Sequence, residues 1–107
     1  MDETQALAAI SAMSNRDRLR VVRHLVQAGP AGLSAGDIAA SIDASPSRTS
    51  FHLNELSDSG LLISDRDARR IFYRVDFAAM GGLLQFLLED CCQNHPDVRA
   101  CCAPKAC

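Results

Sequence analysis

A chain of 107 residues, 48% hydrophobic with a formal charge of −2, makes one domain, small enough that a partner subunit would add stability, so a dimer is expected. That charge excludes a generally basic nucleic-acid binder, so any such activity must rest on local charge. The longest apolar run, "FAAMGGLLQFLL" at Phe77 to Leu88, is too short to cross a bilayer and nothing resembles a signal peptide, so the expectation is a cytoplasmic protein without membrane contact.

Charge and thiols are unevenly spread. Residues 16–74 hold nine arginines against seven acids, a mildly basic middle built from arginine alone. All five cysteines lie beyond Asp90. A disulfide framework would spread them through the fold, and a reducing cytoplasm would keep them as thiols, so the cluster reads as a site.

The first segment, "DETQALAAISAM", has acids in its first turn and Leu7 and Ile10 at helical spacing, which predicts a first helix over about Thr4 to Ala12. "NRDRLRVVRHLVQAG" predicts a second helix, capped by Ser14 or Asn15, with Leu19, Val22 and Val26 as its buried stripe and Gly29-Pro30 as its stop. Arg16, Arg20, Arg23 and His24 fall off that stripe and read as a solvated face. Ser34 followed by Asp37 three residues later predicts a short helix from about Ala35 to Ile42. In "DASPSRTSFHLNELSDSG", Ser45 caps, Pro46 takes the first helical position, and Thr49, Leu53 and Leu56 form the inward row before Gly60. Two short helices with a tight connection make a helix-turn-helix candidate.

After Gly60 the pattern becomes extended: "LLISD" and "RIFYRV" are β-prone and joined by Arg66 to Arg69, a hairpin. Phe77, Met80, Leu84, Leu87 and Cys91 then step by three and four along one face of a closing helix, aimed at the domain or at a second subunit. The tail "HPDVRACCAPKAC" is expected to be loosely structured. The reading is mainly α with a small β-hairpin, in the order α-α-α-α-β-β-α, with residues 1–92 as the DNA-binding and dimerisation domain and 93–107 as a cysteine-rich tail.

"SPSRTSFHLNELSDSGLL" followed by "DRDARRIFYRV" resembles the ArsR/SmtB family of metal-responsive repressors, whose recognition helix reads S-x-x-S-x-H-L-x-x-L and leads through Gly-Leu into an arginine-rich wing. Ser47, Ser50, His52, Leu53, Leu56, Gly60, Leu61, Arg70 and Tyr73 match, and "SNRDRLRVVRHL" is similar to the family's second helix in its N-x-x-R-L form. The resemblance covers about residues 5 to 90. It implies a winged helix-turn-helix homodimer, paired through its first and last helices, that represses transcription from two-fold symmetric operator DNA.

The residues support the DNA contact independently. With Thr49, Leu53 and Leu56 inward, Ser47, Arg48, Phe51 and His52 turn outward near the helix start, the end that enters a major groove in such motifs. Ser45, Ser47, Arg48, Ser50 and His52 are the candidates for base edges or phosphate. Arg66, Arg69 and Arg70 at the hairpin suit phosphate or a narrow minor groove. The bland alternative is that Arg66 and Arg70 pair with Asp65 or Asp67, that His52 is structural and that Phe51 packs between helices.

The sensor site departs from the family. Arsenic- and cadmium-type members carry cysteines in an E-L-C-V-C-D-L-like run, where "GLSAGDI" places Ser34 and Gly36. Zinc-type members space Asp and His along the last helix, where only Asp90 and His95 stand. The terminal thiols remain. Thiolates are soft and suit thiophilic ions; three favour trivalent arsenic or antimony, and four would suit zinc or cadmium, which rank below. The candidate ligands are Cys91, Cys92, Cys101 and Cys102, with Cys107 as a spare and the turn "NHPD" folding the second pair back. Alternatives are a redox or persulfide switch, a structural zinc site, and an inert tail; the sequence shows no phosphate-binding loop for an arsenate-reductase-like enzyme.

Overall fold

The computed structural model describes residues 1–101. Helix α1 (Glu3–Met13) opens with a capping box: Asp2 accepts from the Gln5 N–H and the Gln5 side chain accepts from the Asp2 N–H. Helix α2 (Arg16–Ala28) is capped by Asn15, which accepts from the N–H groups of Asp17 and Arg18. A single 3₁₀ turn leads to strand β1 (Leu33–Ser34), then helix α3 (Ala35–Ile42) and helix α4 (Pro46–Asp58), which start at the expected caps Ser34 and Ser45. At the end of α4, Gly60 takes a φ of +87° and the Leu61 N–H donates to the Leu56 carbonyl at 3.3 Å, which satisfies the helix end and drops Leu61 into the core. Strands β2 (Leu62–Asp67) and β3 (Arg70–Val75) follow, then helix α5 (Phe77–Phe86), capped by Asp76. Helix α5 passes into a π-helical turn, Leu87–Cys91, and after a reversal at Gln93 and Asn94, both at positive φ, helix α6 spans Pro96–Cys101.

This is the expected winged helix-turn-helix, α3–α4 followed by the β2–β3 wing, with three corrections. A two-residue strand completes a sheet of order β1-β3-β2, pairing Leu33 with Tyr73 and Ser34 with Phe72. Gly32 permits it: its φ is +68°, and a Cβ there would collide with the Tyr73 carbonyl. The hairpin is tighter than expected, since Asp67 pairs with Arg70 and only Ala68 and Arg69 form the loop. Part of the tail expected to be loose forms α6.

The core gathers Val21, Val22 and Leu25 from α2, Ile38 and Ile42 from α3, Leu53 and Leu56 from α4, then Leu61, Leu62, Val75 and Leu83. The expected stripe of α2 is wrong in part, and α1 buries its small residues rather than its large ones. Helix α1 buries Ala6, Ala9 and Ala12 and leaves Leu7 59% and Ile10 42% exposed. In α2 the buried row is Val21, Val22 and Leu25, while Leu19 and Val26 are exposed. The alanine face lets α1 lie close on α2, α4 and α5, and Leu7 and Ile10 stay outside that packing, largely exposed.

Candidate nucleic-acid interface and terminal thiols

Helix α4 has two faces. Thr49, His52, Leu53 and Leu56 are buried, and Ser45, Ser47, Arg48, Ser50, Phe51 and Asn54 are exposed. Five of the expected contacts lie on or just before this helix, Ser45, Ser47, Arg48, Ser50 and His52, and the first four face outward. Ser45 is also the cap, its hydroxyl accepting from the Arg48 N–H at 3.2 Å. Arg48 lies 4.0 Å from Asp17 Oδ2 and leaves 68% of its side chain exposed, so its guanidinium is available to a polyanion.

His52 corrects the expectation that it turns outward. It is 4% exposed, and its ring is enclosed by the start of α2: Arg18 Nη1 is 3.2 Å from Nδ1, and Asp17 Oδ2 is 3.7 Å from Nε2. Arginine only donates, so Nδ1 accepts and the neutral ring carries its proton on Nε2, facing the carboxylate. Burial, then the Arg18 guanidinium, holds the His52 pKa below its ordinary value; Asp17 opposes this and Arg48 adds to it. His52 therefore braces α4 against the start of α2 and is not part of the outward face. Sequence reasoning missed Asp17 and Arg18 as its partners, although the N-x-x-R-L resemblance marked Arg18.

On the wing, Arg66, Arg69 and Arg70 are exposed. Asp65 is taken by Arg74, with Nε 3.0 Å from Oδ2. The bland pairing of Arg66 or Arg70 with Asp65 or Asp67 does not form: among the described residues Arg66, Arg69 and Arg70 are in no ion pair. Arg70 is held differently, its Nη2 donating to Ser34 Oγ at 3.3 Å and its guanidinium lying 5.3 Å from the centre of the Phe72 ring. The loop end of the wing is thus tied through Arg70 to the start of α3, while Arg66 and Arg69 stay free of ion pairs.

The thiols sit at the far end of the closing helix. The Cys92 N–H donates to the Leu87 carbonyl at 2.9 Å, five residues back, which makes the last turn π rather than α. Cys91 is exposed, Cys92 is half-buried and Cys101 is exposed; all three are free thiols, and Cys102 and Cys107 lie outside the described residues. Among the described residues, no three Cys, His, Asp or Glu side chains are gathered into a metal-holding group. Cys91 instead lines a cavity of about 470 Å³ between α1 and the end of α5, with Leu7, Ile10, Phe86, Glu3 and Asp90. No helix among the described residues is long and apolar enough to cross a membrane.

A helix-turn-helix domain model matches residues 13–65. The HTH-type transcriptional regulator YgaV of Escherichia coli K12 is 38% identical over 88 residues, which cover 82% of this chain and 87% of that protein. The cadmium resistance transcriptional regulatory protein CadC of Listeria innocua is 39% identical over 61 residues, 57% of this chain and 50% of that one. Among solved structures, an ArsR-like transcriptional regulator from Rhodococcus sp. RHA1 superposes with a TM-score of 0.73 at 25% identity, covering 91% of this chain and 89% of that chain.

Proposed function

The chain belongs to the ArsR family of winged-helix transcriptional regulators, and from that premise we propose that it is an operator-binding repressor switched at its terminal cysteines by trivalent arsenic or antimony. The observation that carries this reading is the place of Cys91, in the cavity bordered by Leu7 and Ile10 of α1.

The repressor is a homodimer through α1 and α5. Exposed Leu7, Ile10, Phe77 and Leu84 on those helices support this, as apolar side chains a partner would cover. Two α4 helices then meet a two-fold symmetric operator about one DNA turn apart. Ser47, Arg48 and Ser50 address the groove, and Arg66, Arg69 and Arg70 address the backbone. Residues 1–92 perform this binding and residues 93–107 complete the inducer site.

Cys91, Cys92, Cys101 and Cys102 are the proposed thiolate donors. The described thiols stand at two separate places, so capture of an ion requires the tail to close on the end of α5. Closure next to α1 alters the dimer contact and with it the spacing of the two α4 helices. A hundredfold release of operator needs a coupling of about 3 kcal/mol. Because the donors must lose their protons, the response weakens as pH falls. Cadmium and zinc rank below the metalloids; the likeness to a cadmium resistance regulator keeps them in the comparison.

The test is fluorescence anisotropy of an operator complex titrated with trivalent arsenic, antimony and cadmium, with free thiols counted in parallel. Release at one metalloid per subunit with about three thiols consumed is expected. Cys91→Ser combined with Cys92→Ser, or Cys101→Ser combined with Cys102→Ser, should keep DNA binding and abolish release. Loss of DNA binding in both double variants would count against the proposal.

A second reading is a thiol redox or persulfide switch, supported by the exposed, free thiols of Cys91 and Cys101. Release by peroxide or polysulfide, but not by metalloid, would select it.

A further inference from the structure

Ser47, Ser50, Phe51 and Asn54 are spaced three and four apart and all exposed, one continuous outward stripe opposite the buried Thr49, Leu53 and Leu56. Three of the four are short polar residues able to hydrogen-bond base edges or phosphate. The fourth, Phe51, is 58% exposed and can do neither.

Its ring is nonetheless held in place. It stands edge-on to His52, centroids 5.9 Å apart at 62°, and His52 is fixed in turn by Arg18. A phenyl ring presented among polar readers has one methyl to meet in a major groove, the C5-methyl of thymine; cytosine offers only a bare C–H at that position, and the other groups on those base edges are hydrogen-bond donors or acceptors. One turn further along, Asn54 offers the amide that pairs bidentately with adenine.

We propose that Phe51 reads thymine methyl groups in each operator half-site, and so determines specificity beside the hydrogen-bonding residues of the same stripe. This rests on the operator-binding reading and adds a base preference to it.

The full chain is used to enrich duplexes from a random pool, and the enriched duplex is then remade with deoxyuridine at each thymine in turn, which removes one methyl and changes no hydrogen bond. At one or two positions per half-site the wild type should bind about fourfold more weakly, the factor for burying one methyl-sized group. Phe51→Ala should bind thymine and uracil duplexes alike, and Phe51→Leu should recover part of the discrimination. A wild type indifferent to every replacement, or an equal discrimination by Phe51→Ala, would overturn the proposal. Failure to enrich any duplex would remove the operator reading with it, whereas enrichment without methyl sensitivity sinks this proposal alone.

Discussion

Arg18 Nη1 lies 3.2 Å from His52 Nδ1, and the same guanidinium donates through Nε to the Ala12 carbonyl at 2.6 Å. One side chain of α2 thereby closes the end of α1 and props the middle of α4. Arg18→Ala should cost about 2 kcal/mol of stability, since it leaves a buried ring nitrogen and a helix-end carbonyl without their donor. Chemical denaturation checks this; a change below about 0.5 kcal/mol would mean that water replaces the guanidinium.

The same pairing gives a pH dependence. Because the folded pKa of His52 lies below its ordinary value, the unfolded chain takes up the proton first as pH falls. The contribution is complete above the ordinary imidazole value of about 6.5 and is lost as pH drops below it towards the folded pKa. Thermal stability should therefore decline below that pH, and His52→Gln, less stable at neutrality, should decline less steeply. Equal slopes for the two proteins would assign the effect to other groups.

On the wing, Arg66→Ala and Arg69→Ala should weaken operator binding across all sequences and lower the salt-dependence slope by about 0.9 for each phosphate no longer neutralised, with stability unchanged. Arg70→Ala should do the same and also reduce stability by up to about 1 kcal/mol, because its bond to Ser34 and its place over Phe72 go with it. Anisotropy over a range of salt concentrations, read beside denaturation curves, separates the two classes.

Gly32 and Gly29 both have positive φ, +68° and +70°, but only at Gly32 would a Cβ meet the backbone of β3. Both sit in a backbone region that is essentially glycine's own, with ψ of −151° at Gly29 and −168° at Gly32, so Gly29→Ala should cost about 1–3 kcal/mol of strain alone and Gly32→Ala more, for the added collision. Similar melting temperatures for the two variants would mean that β1 separates from β3 at little cost.

Leu7→Glu combined with Leu84→Glu should yield a monomer with an unchanged far-ultraviolet spectrum, because both side chains are already exposed in the subunit. Operator affinity should fall by at least about a hundredfold, as the two half-sites are then bound independently. Sedimentation showing an intact dimer would place the interface elsewhere.

Much of this is legible in the sequence because it is local. Asp2, Asn15, Ser34, Ser45 and Asp76 all cap helices through hydrogen bonds that reach no further than three residues. What fails is long-range. The spacing assigns Leu19 and Val26 to the core, but both are exposed, and on α1 burial goes to the alanines, since small side chains set how close two helices come. Polarity turns His52 outward, and only the distant Arg18 and Asp17 make its burial tolerable. Composition finds the thiols; that Cys91 borders α1 depends on the path of the whole chain.

The π turn at Leu87–Cys91 fits one residue more than an α turn into the same stretch of axis. The end of the closing helix therefore carries a phase offset, and Cys92 at its cap is turned by up to about 100° from where an uninterrupted α-helix would aim it. The helical wheel that aligns Cys91 with Leu84 and Phe77 does not describe the chain past Phe86. Shortening the turn by one residue would re-aim Cys92 without altering a single thiol, which makes chain length, as well as ligand chemistry, a determinant of what the end of this helix can grasp.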